Sequence, residues 1–157
     1  MFKFGARSRR NLAECHQHLQ DVAPLALARS PFDFGIIDGG RTLQEQIEFK
    51  AAGKSWTLKS RHRFARPLTA GGRPRRGPPV SHALDFMIYL NGKACWEFAL
   101  YERVWLEAWR PAAAELGIPL GWGGKWKSQD GPHIQLPWKQ YPAQYTDAPA
   151  YHLDLAA

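Results

Sequence analysis

The run HALDFMIYL at residues 82–90 constrains this chain more than any other feature. It is short, it carries the β-formers Phe86, Ile88 and Tyr89, and Asn91-Gly92, the dipeptide of a tight hairpin turn, follows it. A strand is therefore expected. Side chains alternate between the faces of a strand, so His82 and Asp85 point in opposite directions and do not easily share one ligand. In a helix, the i, i+3 spacing would bring both to one face.

Other elements fall around this strand. Ser8 as N-cap and the spacing of Leu12, Cys15, Leu19 and Val22 predict a helix over residues 8–28, ended or kinked at Pro24. FGIID at 34–38 reads as a short strand closed by Gly39-Gly40. Thr42 to Glu45 is a capping box opening a helix that runs to Ala52 and stops at Gly53. That places Arg41 at a strand-to-helix junction. The stripe Phe98, Tyr101, Trp105, Ala108, Ala112 and Leu116 predicts a helix over 97–116, kinked at Pro111 and stopped by Gly117. HIQLPW at 133–138 reads as a last strand, and the chain from about 140 as a peripheral tail. Residues 63–80 hold five Arg, four Pro and three Gly with almost no hydrophobic periodicity, the composition of an inserted loop.

The 157 residues fit one domain with a real core, and 45% hydrophobic against 22% charged residues is ordinary for a globular chain. Seven Trp are many for this length and serve either a rigid core or a binding groove. The net charge of +7 favours a polyanionic partner: nucleic acid, an anionic membrane surface or bacterial envelope polymers. Arg63, Arg66, Arg73, Arg75 and Arg76 concentrate that charge in the 63–80 loop, either as a solvated surface, as attraction to anionic envelope material or as a lid over a substrate groove. Cys15 and Cys95 stand in no metal-binding spacing and are expected to be free and buried, one bridge being the alternative. The basic N-terminus is followed by no apolar signal segment, and no run is apolar enough to span a membrane. Synthesis in the cytoplasm, no stable membrane insertion and a monomer are expected.

Of six histidines, His16, His18 and His152 read as surface or satisfied side chains. His62, His82 and His133 lie beside acids in SRH, SHALD and DGPH. A catalytic zinc site takes three His or carboxylate ligands and needs a separate general base for the attacking water. Asp130 and His133 suit that division: the histidine starts a strand while the acid sits on the turn before it. Strand alternation then pairs Asp85 with His62. His82 is left to support the site or substrate, or to act as a hydrogen-bonded structural residue.

GGRTLQEQ (39–46), WTLKSRH (56–62), HALDF (82–86), WGGKW (122–126) and DGPHIQL (130–136) occur in an order that resembles the phage L-alanyl-D-glutamate peptidases. These endolysins are zinc enzymes of the D-alanyl-D-alanine carboxypeptidase-like metallopeptidases. The resemblance covers residues 8–138 and implies an α+β fold, a small antiparallel sheet flanked by helices. It implies His62, Asp85 and His133 as ligands of one zinc ion, Asp130 as general base, and Arg41 as partner of the oxyanion or of a substrate carboxylate. It also implies peptidoglycan as substrate, with release to the wall through a membrane pore, a holin. Three departures stand out. The 22 residues between His62 and Asp85 exceed the family's usual short spacing, Lys125 replaces an Asp common in W-G-G-D-W, and Gln135 stands where Glu often follows the last His.

Two other functions compete. A D,D-carboxypeptidase or dipeptidase would use the same zinc site on terminal D-alanine. A non-catalytic module would hold cell-wall polymer or nucleic acid through the basic loop and the tryptophans, and would need neither zinc nor Asp130.

Overall fold

A computed structural model describes residues 1–149 and 151–152. A five-stranded antiparallel sheet organises the chain, with strand order β1 (Asp33–Asp38), β3 (Ala83–Leu90), β6 (His133–Gln135), β5 (Gly121–Trp122), and β4 (Lys93–Cys95) also pairing with β3. Helices α1 (Ala6–Ala13), α2 (Gln17–Arg29), α4 (Phe98–Val104) and α5 (Arg110–Leu116) flank it. The expected α+β class is the one found. Phe34, Ile36, Phe86 and Ile88 share one buried core with Val22 and Ala26 of α2. Trp109 closes that core, its ring centroid 5.3 Å from Phe34 and 5.5 Å from Phe86.

The central strand is β3, as expected, and Asn91 (φ 50°) and Gly92 (φ 76°) form the two-residue turn into β4. Both central residues need positive φ, which Asn and Gly supply at least cost. α3 (Leu43–Ala51) begins at the predicted capping box, with Thr42 and Glu45 each satisfying the other's backbone N–H. Gly53 and Gly117 follow their helices at φ 74° and 68°.

Several expectations change. The helix expected over 8–28 is two helices, because the chain at Cys15 and His16 leaves the helical path to pair with Ser81 at the start of β3 (His16 N–H to Ser81 O, 2.8 Å). The apolar spacing persists because Leu12, Cys15, Leu19 and Val22 are all buried in one core. Pro24 ends nothing: α2 runs through it to Arg29. At Pro111, a π-helical turn over Trp105–Trp109 precedes the proline. Its wider i→i+5 bonding relieves the clash that a proline ring makes with the carbonyl four residues back. Cys15 is buried but Cys95 only half-buried, and both are free.

Residues 63–80 hold more structure than their composition suggests. β2 (Ala65–Pro67) pairs with β7 (Ala143–Tyr145), Ala65 bridges Val80, and Leu68 bridges Pro74. The arginine-rich excursion is thus clasped by the chain after residue 140, which lies against the body instead of running loose. β6 covers only His133–Gln135 of the expected 133–138. Among the described residues, no helix is long and apolar enough to cross a membrane.

His152 is satisfied between two carboxylates: its side chain is 12% exposed, Nδ1 meets Glu14, and Nε2 lies 2.6 Å from Glu45. Burial works against its charge, but the hydrogen bonds to Glu45 and Glu14 outweigh it and hold the imidazole above its usual range. A raised imidazole contributes stability that is present below about pH 6.5 and is lost as pH rises through the folded value. Partial burial opposes the charge of Glu45, yet its backbone bond to Thr42 and its bond to His152 hold it low, so its share fades as pH falls below about 4.5. The melting temperature of the wild type should exceed that of His152→Gln most between about pH 4.5 and 6.5, and the gap should narrow as pH rises beyond that range. A gap independent of pH in thermal melts would contradict this pairing.

Candidate metal centre and active site

Antiparallel register sets the first two ligand candidates face to face. Asp85 of β3 lies directly opposite His133, the first residue of β6. His62 joins them from the segment before β2, where Arg41 N–H bonds His62 O at 2.8 Å and Phe64 N–H bonds Arg41 O at 3.0 Å. This short parallel contact brings the Arg41 junction beside His62.

The three donor atoms converge. His62 Nε2 is 3.2 Å from Asp85 Oδ1 and 3.3 Å from His133 Nδ1, and His133 Nδ1 is 3.4 Å from Asp85 Oδ1. Bonds of about 2.0–2.2 Å at tetrahedral angles put neighbouring ligand atoms roughly 3.3–3.5 Å apart. The triangle therefore has the dimensions of three corners around one small divalent ion. It is the one such cluster of His, Cys and carboxylate groups among the described residues.

The outer nitrogens point the inner ones correctly. His62 Nδ1 lies 2.8 Å from the Gly39 carbonyl, which can only accept, so the proton sits on Nδ1 and the Nε2 lone pair faces inward. Gln135 presents Oε1 to His133 Nε2 at 2.8 Å, which frees Nδ1 in the same way. Two lone pairs and a carboxylate converging on one point are a donor set that could hold a metal ion. Burial opposes ionisation of Asp85, yet His62 and His133 hold it well below the usual carboxylate range. Burial likewise lowers His62, but Asp85 outweighs that effect and raises it.

Arg41 is 7% exposed and lies behind the acid. A register shift between Ile36 and Asp38 sets Asp38 opposite Asp85, two like charges side by side. The guanidinium meets both: Nε donates to Asp38 at 2.9 Å, Nη2 donates to Asp38 and lies 3.6 Å from Asp85 Oδ2, and Nη1 donates to Gln46 at 3.0 Å. Phe49 packs against the guanidinium at 4.1 Å from its ring centre. Sequence reasoning missed Asp38 and Gln46. The available hint was a polar residue, Gln46, one turn into a helix where it is fully buried only in three dimensions.

Asp130 lines the same cavity, of about 460 Å³, together with Arg41, His62, Asp85 and His133. Burial first, and the Asp85 carboxylate second, raise its carboxyl above the ordinary range. Trp56, Trp126 and Trp138 form walls, whereas Trp105, Trp109 and Trp122 lie in the core, so six of the seven tryptophans divide between the two uses and Trp96 is exposed. Lys125 is not at the metal cluster: it is exposed, 5.7 Å from the centre of the Trp105 ring. His82 is on the opposite side of β3 from Asp85 and lines a different cavity, as strand alternation requires.

The Gly123-Gly124 pair explains how the turn carrying Asp130 is held. A Cβ at Gly123 would come 2.6 Å from Asp130 O and 2.9 Å from His133 Cβ, and one at Gly124 would enter the Trp122 ring. Gly123→Ala should cost about 1–3 kcal/mol through this overpacking. Urea unfolding measures it, and an unchanged midpoint would mean that the turn yields freely.

With this geometry in hand, comparison with known proteins is direct. The family model of the phage L-alanyl-D-glutamate peptidases matches residues 1–145. The L-alanyl-D-glutamate peptidase of Escherichia phage T5 is 34% identical over 140 residues, 86% of this chain and 89% of that protein. The crystal structure of the Serratia marcescens L-Ala D-Glu endopeptidase ChiX matches with a TM-score of 0.73 at 36% identity, covering 90% of this chain and 95% of that one. Five sequence segments, a sheet that gathers them and two similar peptidases agree: this chain belongs to the phage L-alanyl-D-glutamate peptidase family.

Proposed function

We propose that this protein is a zinc-dependent peptidoglycan endopeptidase, an endolysin that hydrolyses the L-alanyl-D-glutamate bond of the stem peptide. The observation that carries this reading is the triangle of His62, Asp85 and His133 donor atoms at 3.2–3.4 Å, with Asp130 in the same cavity. Two imidazoles and a carboxylate suit zinc, and three protein ligands leave a position open. The names of the related peptidases supply the bond.

Zinc held by these residues would supply a Lewis acid that acidifies water and polarises the scissile carbonyl. Asp130 is assigned as general base. It takes the proton from the attacking water and returns it to the leaving amine nitrogen. A carboxyl raised by burial and by Asp85 is a better proton acceptor than an exposed aspartate. Arg41 adds positive charge at the oxyanion or at a substrate carboxylate. With three hydrogen bonds already tied to Asp38 and Gln46, it also fixes Asp85. Lys54, Lys59 and Arg61 line the cavity and favour an acidic peptide. Arg63, Arg66, Arg73, Arg75 and Arg76 add attraction to anionic envelope polymers. The protein acts on the wall after synthesis in the host cytoplasm and release through a holin-type pore.

Asp130→Ala should keep about one zinc per chain while lowering turnover about a hundredfold or more. His62→Ala should lose the metal. Near wild-type turnover in the first variant would remove Asp130 from the reaction. Product analysis on defined muropeptides identifies the bond: release of terminal D-alanine alone would replace the endopeptidase by a D,D-carboxypeptidase. Gln135→Leu should weaken zinc binding about ten- to hundredfold, because the His133 tautomer loses its support. Competition with a chelator measures that affinity, and an unchanged value would assign Gln135 no part in it.

A further inference from the structure

A second cavity, also about 460 Å³, shares no lining residue with the metal-ligand cavity. Three histidines face it: His16 and His18 from the start of α2, and His82 from the residue before β3. Arg75 of the arginine-rich excursion and Tyr141 complete its polar lining with Gln140. The ring centres of His16 and His18 lie 4.9 Å apart, and those of His16 and His82 5.4 Å.

His82 is the anomaly. Its side chain is fully buried, and neither ring nitrogen has a hydrogen-bond partner among the described residues. The Val80 carbonyl is near enough to favour its charge, but not in hydrogen-bonding geometry. A buried polar group normally finds a partner, and an imidazole with two orphaned nitrogens in the wall of a cavity points to a ligand. His16 has a defined tautomer: its Nδ1 accepts the His18 backbone N–H at 3.0 Å, so Nε2 carries a proton to donate.

The charges around the cavity select the ligand's sign. Among the described residues, no carboxylate lines it. The Arg75 guanidinium has neither ion pair nor side-chain hydrogen bond among the described residues. Arg61 is close enough to act on both His16 and His82, and its own partners are the carbonyls of Leu136, Pro137 and Tyr141, not an acid. The 13-residue α2 opens here with no acidic residue in its first turn, so its positive end adds to the field. Asp21 acts on His16 more weakly than either arginine. Burial first, then Arg61, lowers His82 to about 3, and burial with His18, Arg61 and Arg75 lowers His16 to about 4. Both rings are neutral at physiological pH and hold N–H donors ready.

We propose that this cavity is a binding site for a phosphate-type oxyanion, with Arg75 as counter-charge and His16, His82 and Tyr141 as hydrogen-bond partners. Donors reach it from α2, the start of β3, the arginine-rich excursion and the 140–142 segment, and a tetrahedral oxyanion offers acceptors in those several directions where a planar carboxylate does not. The volume leaves room for an organic group esterified to the phosphate. The excursion between His62 and Asp85 thereby gains a ligand as well as charge. This site is independent of the peptidase reading and of any metal.

Histidine-selective NMR titration of the whole chain tests it, at constant ionic strength, with inorganic phosphate and with poly(glycerol phosphate) as probes. Saturable shifts of the His16 and His82 ring signals are expected with phosphate, with chloride inert. Arg75 is exposed, so Arg75→Ala should fold normally, and it should weaken binding about ten- to hundredfold, the value of a charge-assisted hydrogen bond. Arg75→Lys should recover part of the affinity. Tighter binding of the polymer would identify a phosphodiester chain as the source, and equal binding free phosphate; either supports the site. Absence of saturable shifts, equal affinity in Arg75→Ala, or shifts of these rings by zinc instead of phosphate would overturn the proposal.

Discussion

The cross-strand pairing of Asp85 with His133 is the constraint on which the rest of the structure depends. In an antiparallel sheet a slip of one residue turns every side chain to the other face. Such a slip between β3 and β6 would swap Asp85 for Leu84 or Phe86 at the cluster and expose the core residues that alternate with it. Because Leu84, Phe86 and Ile88 are buried in the core, with Phe86 against Trp109 of the π-helical turn, the hydrophobic face holds the register, and the register holds the two donors in place. The core and the candidate metal centre are two faces of the same strand.

His62 has no strand of its own at the cluster and is held by less. Its backbone contact with Arg41 and its ring bond to Gly39 are both made possible by Gly39-Gly40, where a side chain would strike Asn11 O or the Phe64 ring. The same glycines let the chain leave β1 and enter α3 within a few residues, which leaves Arg41 between Asp38 and Asp85. One guanidinium thus neutralises the like-charge pair that the irregular β1–β3 register creates. The extra residues between His62 and Asp85 do not disturb this arrangement, because they leave and return along Ala65 and Val80, which bond each other.

Much of this was legible in the chain because local signals agreed with tertiary ones. The β3 strand, its Asn-Gly turn, the Thr42–Glu45 capping box and the glycine stops all rest on backbone conformations that few other residues adopt, so composition reveals them. Errors arose where long-range pairing overrode local pattern. The periodicity from Leu12 to Val22 looked like one helix, since nothing within it announces that Cys15 pairs with Ser81. Likewise the arginine-rich stretch looked unstructured, since its partner strand lies more than sixty residues further on and has no strong β signal of its own.

By itself the sequence determined the element types around β3, the opposite facing of His82 and Asp85, and which residues have donor chemistry. Those follow from dihedral preferences and from side-chain period, which act over a few residues. Only the tertiary structure decided that Asp38 and Gln46 hold Arg41, that Gln135 and Gly39 set the imidazole tautomers, and that His82 meets His16 and His18 at a second cavity. Each of those depends on distances between segments far apart in the chain. They are fixed by how the sheet packs on its helices, and no local propensity encodes them.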